Sequence, residues 1–284
     1  MTIALGILAA GGIVIAADRQ QTEGTAKSNR GKVSAAWKAG RGGIVLSGAG
    51  DGPPLDAIAE EFRQWFTADT PPLKYEDIDT EIRRRHEEFY HRYVLPFSAY
   101  SDYERPDYEL FVAASPINSS RGLWTSSKLV VNKEELFAAV GVGATTANAL
   151  LNKFYVPAMP IEIAVSLAAY VVYQVKQSVD GVGFETDMFA IINHAPSPIG
   201  DDEISGMETH FRAYEKTERS NLYYDLGGDP TMPETLFGKS GDRESREKAT
   251  RQFFEAINAK RIEQWGLPSP NSLWCKSGCM SRKS

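Results

Sequence analysis

Apolar residues recur along the first 195 residues with two different periods. Short apolar runs bounded by glycine and polar residues are typical of buried strands, and Gly11-Gly12 divides the first run, residues 3–17, into the two strands of a tight hairpin. Other segments repeat their apolar positions at helical spacing. The pattern predicts strands at 3–8, 13–17, 32–37, 43–47, 108–114, 122–125, 129–131, 137–140 and 184–192. It predicts helices at 55–66, 75–93, 144–154 and 161–177.

Runs of strands separated by pairs of helices indicate an α+β fold rather than an alternating βαβ chain. Residues 20–30 are polar and are predicted as a loop. From residue 196 the chain becomes more polar and richer in glycine and proline, and an amphipathic helix is predicted at 243–265. We therefore expect one domain at 1–195 and a C-terminal extension at 196–284.

Composition and charge exclude several classes of protein. The 284 residues carry 31 basic and 37 acidic side chains, a formal charge of −6, which gives no electrostatic footprint for nucleic acid. Residues 3–17 lack a preceding basic segment and are too short to span a bilayer. Cys275 and Cys279 are too few for a disulfide framework, and a tetrahedral zinc site needs further ligands. We expect a cytoplasmic protein that binds no metal, cofactor, nucleic acid or membrane.

Thr2 is the first candidate for chemistry, because it follows Met1 and opens the first predicted strand. Removal of the initiator methionine, expected before so small a residue, would leave threonine at the terminus. A terminal threonine combines a hydroxyl nucleophile with an α-amine whose unperturbed pKa of about 7.7–8.0 suits a base. Many proteins begin with Met-Thr, so the assignment of Thr2 as a nucleophile depends on the residues near it. The return strand ends at Asp18, and Lys32 begins the next predicted strand pair.

Several segments carry a resemblance to a known family. They read TIALGI at 2–7, GIVIAADR at 12–19, TEG at 22–24, KV at 32–33, SGAGD at 47–51, DYELFVA at 107–113 and FAAVGVGA at 137–144. Together they resemble a proteasome-type peptidase of the N-terminal-nucleophile hydrolase superfamily, over roughly the first 195 residues.

That resemblance implies a four-layer αββα sandwich, with two antiparallel sheets between helical layers. It also implies that Thr2 is the nucleophile, that Asp18 and Lys32 are its acidic and basic partners, and that the backbone N–H of Gly48 stabilises the oxyanion. The chemistry agrees with these residue types. A buried ammonium would lower the pKa of the nearby terminal amine, and a carboxylate between the strands would hold the lysine charged.

The sequence also departs from the family. The family usually has a serine where Val142 stands, and an Asp-x-x-Ser pair where this chain has Asp180 and Gly183. Asp180 is therefore a further candidate site residue, while both serines, which support the amine and its water network, are missing. The segment before Lys32 is shorter than in the family, which leaves Lys27 as a weaker candidate for the lysine.

The sequence is compatible with three functions. The first is a threonine-type peptidase that hydrolyses peptides or unfolded proteins through Thr2, activated by loss of Met1 and assembled into a homo-oligomeric ring or spiral. The second is an N-terminal-nucleophile amidohydrolase or acyl-transfer enzyme acting on a small amide. The third is a non-catalytic, proteasome-like structural subunit. The sequence contains no phosphate-binding glycine loop, so any ATPase that feeds the assembly would be a separate chain.

Overall fold

The computed structural model describes residues 2–23, 26–68, 75–97, 108–127 and 130–225. These residues form a mixed α/β structure with three antiparallel sheets and five α-helices. The strands are β1 (Ile3–Leu8), β2 (Gly12–Asp18), β3 (Gln20–Glu23), β4 (Ala26–Asn29), β5 (Ser34–Lys38), β6 (Gly42–Gly50), β7 (Tyr108–Pro116), β8 (Gly122–Ser127), β9 (Val130–Glu134), β10 (Phe137–Gly141), β11 (Thr186–Ile192) and β12 (Ala195–Pro198). The helices are α1 (Gly52–Thr67), α2 (Tyr75–Phe89), α3 (Ala144–Phe154), α4 (Ile161–Ser178) and α5 (Asp201–Asp225).

The chain divides into two compact units, Met1–Phe211 and Arg212–Ser284. The first unit contains all twelve strands and α1 to α4. In the second unit, the described residues are helical. The sequence-based boundary after residue 195 stays a prediction.

The first sheet has the strand order β10, β1, β2, β11, β12, and every neighbouring pair is antiparallel. The predicted hairpin is present, with Ala4 opposite Ala17 and Leu8 opposite Ile13. Both of its strands are almost entirely buried. This burial explains their nearly continuous apolar sequence, which does not alternate with polar residues.

The second sheet has the order β5, β6, β7, β8, β9, and its two faces contact different partners. Val45 and Phe111 pack with residues of the first sheet, whereas their neighbours Leu46 and Leu110 pack with α1 and α2. The two sheets approach closely where Phe111 lies over Gly6, because a Cβ atom at Gly6 would lie 2.5 Å from the aromatic ring.

The helices cover these sheets through apolar faces. Helices α3 and α4 contact β1, and α4 also contacts β2 and β11. Helix α1 contacts β5, β6 and β7, and α2 contacts β9. The buried apolar residues of α1 and α2 recur at helical spacing, as the sequence predicts. They are Ile58, Phe62, Phe66, Ile78, Ile82 and Phe89.

Two predicted segments differ from the structure. Residues 20–30, predicted as a loop, contain β3 and β4, a polar ribbon in which Thr22 lies opposite Lys27. Such a ribbon lacks the apolar alternation by which strands are recognised. The strand predicted at 32–37 begins instead at Ser34. The C-terminal extension predicted at 196–284 stays a prediction. Its first residues belong to β12, which pairs with β11, and α5 follows.

Some predictions lie outside the described residues. They concern Met1, the two cysteines and the helix at 243–265.

Within the described ranges, no helix is both long enough and apolar enough to cross a bilayer.

A buried polar cluster joins α2 to the second sheet. Hydrogen bonds connect the two ring nitrogens of His86 to the hydroxyls of Tyr108 and Ser126, and the Tyr108 ring stacks on the imidazole with centroids 5.2 Å apart. Burial lowers the pKa of His86 to about 4. The imidazole is therefore neutral in the folded protein at pH values where the unfolded chain would protonate it.

This difference predicts a pH-dependent stability. Between about pH 6.5 and 4 the unfolded state binds one proton more at His86, so the free energy of unfolding should fall as the pH falls through this window. His86→Gln should lose this component when urea unfolding is measured at several pH values. The exposed His91 supplies the control, and His91→Gln should keep the wild-type slope. An unchanged slope in His86→Gln would contradict the prediction.

Candidate active site

The β1–β2 hairpin brings Thr2 to Asp18. Its register places Ala4 opposite Ala17, so the start of β1 lies beside the end of β2. Thr2 is 3% exposed, and its Oγ1 donates a hydrogen bond of 2.9 Å to Oδ1 of Asp18. The side-chain hydroxyl that the sequence predicts as a nucleophile is therefore held by the carboxylate that the sequence predicts as its partner.

Asp18 is fully buried and is surrounded by hydrogen-bond donors. Its Oδ1 accepts from the backbone N–H of Ile3 at 3.0 Å in addition to the Thr2 hydroxyl. Its Oδ2 accepts from the backbone N–H groups of Gln20 at 3.2 Å and Gly183 at 3.1 Å. These donors compensate for the loss of water around a buried carboxylate.

Lys32 completes the group from a different part of the chain. Its ammonium lies 3.0 Å from Oδ1 of Asp18 and donates to Oγ1 of Thr2 and to the carbonyl oxygen of Gln20. Burial lowers the pKa of Lys32, and the charge of Asp18 opposes that effect. Lys27, the weaker candidate, is exposed on β4.

A cleft of about 280 Å³ opens at Thr2. Its lining includes Thr2, Lys32, Gly48, Leu46 and Ala49. Gly48 lies in β6, where a Cβ atom would be only 2.3 Å from the carbonyl oxygen of Glu109. The structure thus brings together Thr2, Lys32 and Gly48 at the cleft, with Asp18 buried behind Thr2.

Asp180 is not brought to this group. It is exposed in the turn after α4, and it does not appear among the described residues that line the cleft. The same turn instead contributes the backbone N–H of Gly183, which binds Asp18. A Cβ atom at Gly183 would lie 2.5 Å from Oε1 of Gln20, so the side chain of Gln20 occupies the space into which a serine at 183 would point.

The segment around Val142 also borders Thr2. Val142 is half exposed, and its neighbours carry the contacts. The N–H of Gly143 donates to the carbonyl oxygen of Thr2 at 3.5 Å, and the N–H of Gly141 donates to Oε2 of Glu109 at 2.6 Å. Backbone groups and Glu109 therefore fix this segment next to Thr2.

Asp187 and Glu109 are the site-adjacent residues that the sequence reasoning missed. Asp187 Oδ2 accepts a hydrogen bond of 2.7 Å from the backbone N–H of Lys32. Its sequence signal is a charged residue in the mostly apolar strand β11, and Glu109 is similarly placed in β7. In the described part of the chain, no group of three or more His, Cys, Asp or Glu residues is arranged to hold a metal ion.

The comparisons with known proteins concern the fold. No family model and no curated protein matches this sequence. Solved structures do match. Anbu (ancestral beta-subunit) from Yersinia bercovieri has 13% identity and a TM-score of 0.63 over 81% of this chain and 99% of that one. The structure of the helical assembly of the Anbu complex from Pseudomonas aeruginosa has 15% identity and a TM-score of 0.65, covering 81% and 98% of the two chains. The chain therefore has a proteasome-type fold.

Gly141 offers a test of how tightly the structure around Thr2 is packed. Its φ of +94° favours glycine, and a Cβ atom would lie 2.3 Å from the carbonyl oxygen of Thr2. Gly141→Ala should therefore lower the free energy of unfolding by about 1–3 kcal/mol. Gly11→Ala, where no atom lies within 4 Å of the added methyl group, is the matched control. Equal stability of the two variants in urea unfolding would refute this packing argument.

Proposed function

We propose that this chain is an N-terminal-nucleophile hydrolase in which Thr2 attacks the carbonyl carbon of a peptide bond. The observation that carries the proposal is that Oγ1 of Thr2 contacts both Nζ of Lys32 and Oδ1 of Asp18 at the edge of a cleft. A hydroxyl between an amine and a carboxylate has the partners that an activated nucleophile needs.

The proposed reaction follows from these contacts. The Thr2 hydroxyl gives its proton to a neutral amine, either its own α-amine or Lys32, while Oγ1 forms a bond to the substrate carbonyl carbon. The N–H of Gly48 stabilises the negative oxygen. The amide C–N bond then breaks, and the leaving amine takes up the proton. Water hydrolyses the resulting ester and regenerates Thr2. If the α-amine is the base, Thr2 must be the first residue, which mass spectrometry measures directly.

We also propose that the chain adopts a four-layer αββα architecture and assembles into a homo-oligomer. The contacts of α1 and α2 with one sheet, and of α3 and α4 with the other, support the four-layer αββα arrangement. The helical assembly of the Pseudomonas aeruginosa structure supports self-association of this chain into a homo-oligomer. Peptides or unfolded proteins are the proposed substrates.

A small amide is the second candidate substrate. The cleft of about 280 Å³ lies just below the range of volumes found for drug-sized ligand sites. This volume suits a short acyl group as well as one residue of a peptide. A screen that compares fluorogenic peptides with small amides separates the two candidates, because only a peptidase should cleave the peptides faster.

Covalent labelling tests the nucleophile. Intact mass spectrometry should find a protein without Met1 that gains a single adduct on treatment with a peptide epoxyketone, which needs a free terminal threonine. Thr2→Ala should gain none, and Thr2→Ser should retain part of the reactivity because it keeps a hydroxyl and an α-amine. If Thr2 is terminal but does not react, the result would contradict the hydrolase and support the non-catalytic structural subunit.

Two lysine variants test the choice of base partner. Lys32→Ala should lower the labelling rate by about 10²–10⁴-fold, the usual contribution of a positioned acid or base. Lys27→Ala is the matched control, because Lys27 is exposed on β4 and should leave the rate unchanged. The reverse order of effects would identify Lys27 as the functional lysine.

The labelling rate should also rise with pH. Attack requires a neutral amine to accept the Thr2 proton, and burial lowers the pKa of Lys32, which increases the neutral fraction at a given pH. Rates measured between about pH 6 and 9 should therefore increase and then level off. A rate that falls over this range would contradict an amine base.

A further inference from the structure

Lys32 is held differently from the other two members of the group. Thr2 precedes β1 directly and Asp18 ends β2, so the pairing of these strands fixes both main chains. Lys32 lies between β4, which ends at Asn29, and β5, which begins at Ser34. Strand pairing therefore does not set the position of the Lys32 main chain.

Two side chains hold that main chain instead. The backbone N–H of Lys32 donates to Oδ2 of Asp187 at 2.7 Å. The hydroxyl of Ser47 donates to the carbonyl oxygen of Lys32 at 3.1 Å. Gly31 leaves room for the carboxylate, because a Cβ atom there would lie 3.2 Å from Oδ2 of Asp187.

Asp187 is itself fixed by the fold. It lies in β11, where it pairs with Ala17, the residue next to Asp18. Its Oδ1 accepts from Nε of Arg19 at 2.5 Å, and its side chain is 11% exposed. Arg19 also binds both carboxylate oxygens of Asp201, in the first turn of α5, at 3.0 and 2.8 Å. The Asp187 carboxylate is therefore aimed at Lys32 by a paired strand and a bound guanidinium.

We propose that Asp187 is the positioning residue that places Lys32 against Thr2, by binding the Lys32 backbone N–H with one oxygen while Arg19 holds the other. It does not touch the reacting atoms and acts through Lys32. The proposal rests on the proposed function for its effect on reaction rate. Its effect on Lys32 itself does not depend on that function.

The charge of Asp187 acts on the pKa of Lys32, which gives a readout separate from the labelling rate. Burial lowers the pKa of Lys32, and the negative charges of Asp18 and Asp187 both raise it. Loss of the Asp187 carboxylate should therefore displace the Lys32 amine from Thr2 and also lower its pKa. A residue that only stabilised the fold would do neither.

The test compares Asp187→Ala, Asp187→Asn and Asp201→Asn with the wild type. Asp201→Asn weakens the outer partner of Arg19 and leaves the bond from Asp187 to Lys32 in place, so it is the matched control. Each purified protein is treated with the epoxyketone to obtain the labelling rate, and the Lys32 amine is titrated by NMR of protein carrying ¹⁵N-lysine. Thermal melting confirms that each variant is folded.

The expected results form a graded series. Asp187→Ala should label about 10–100-fold more slowly, because a reactive group that is displaced by about 1 Å can lose about 100-fold in rate. Asp187→Asn should lose less, because its amide oxygen can still accept the Lys32 N–H. Asp201→Asn should label at the wild-type rate. The Lys32 pKa should fall in Asp187→Ala and stay at the wild-type value in Asp201→Asn.

Other outcomes separate this proposal from the proposed function. If the wild type is not labelled, the proposed function fails, but a Lys32 pKa that changes in the Asp187 variants alone still supports positioning. If Asp187→Ala does not fold, Asp187→Asn decides. Wild-type rates and an unchanged Lys32 pKa in the folded Asp187 variants would overturn the proposal, as would an equal loss in Asp201→Asn.

Discussion

A carboxylate without solvent exposure needs a donor for each of its lone pairs, and Asp18 obtains them from several distant parts of the chain. The donors come from the start of β1, from Gln20 just beyond β2, from Lys32 and from Gly183 after α4. Each of these segments must reach its native position before the carboxylate is satisfied. The geometry at Thr2 is thus a consequence of the assembled first sheet and of the loops at one of its ends.

The sequence predicts the part of this site that local pairing determines. Apolar runs around Gly11-Gly12 predict the hairpin, and the hairpin register then places Thr2 beside Asp18. The position of Asp187 could not be obtained in this way, because 155 residues separate it from Lys32. Contacts at such separation depend on the order of strands in the sheet, and apolar periodicity does not specify that order. The polar ribbon of β3 and β4 was not predicted, because strands that pair through polar residues show no apolar pattern in the sequence.

Gly183 and Val142 stand where the resemblance predicts serines, and other atoms support the site at these two positions. At position 183 the backbone N–H still binds Asp18, while the amide of Gln20 fills the adjacent space. At position 142 the apolar side chain is half exposed, and the neighbouring glycine N–H groups bind Glu109 and the Thr2 carbonyl. Fixed backbone donors therefore hold the site at both positions. A backbone N–H can orient charged groups, but it is a donor only and has no lone pair that could accept a proton during a reaction.

The ion pair between the partly buried Lys32 and the fully buried Asp18 bears on the choice between an enzyme and a structural subunit. Burying two charges costs desolvation energy, and apolar residues of similar volume often stabilise a fold as well or better. A subunit that only assembles has no catalytic use for a lysine whose ammonium also contacts a threonine hydroxyl at the edge of a cleft. Perturbed amines beside nucleophilic hydroxyls in clefts are characteristic of sites that perform chemistry. The arrangement of Thr2, Asp18 and Lys32 therefore favours the hydrolase over the scaffold.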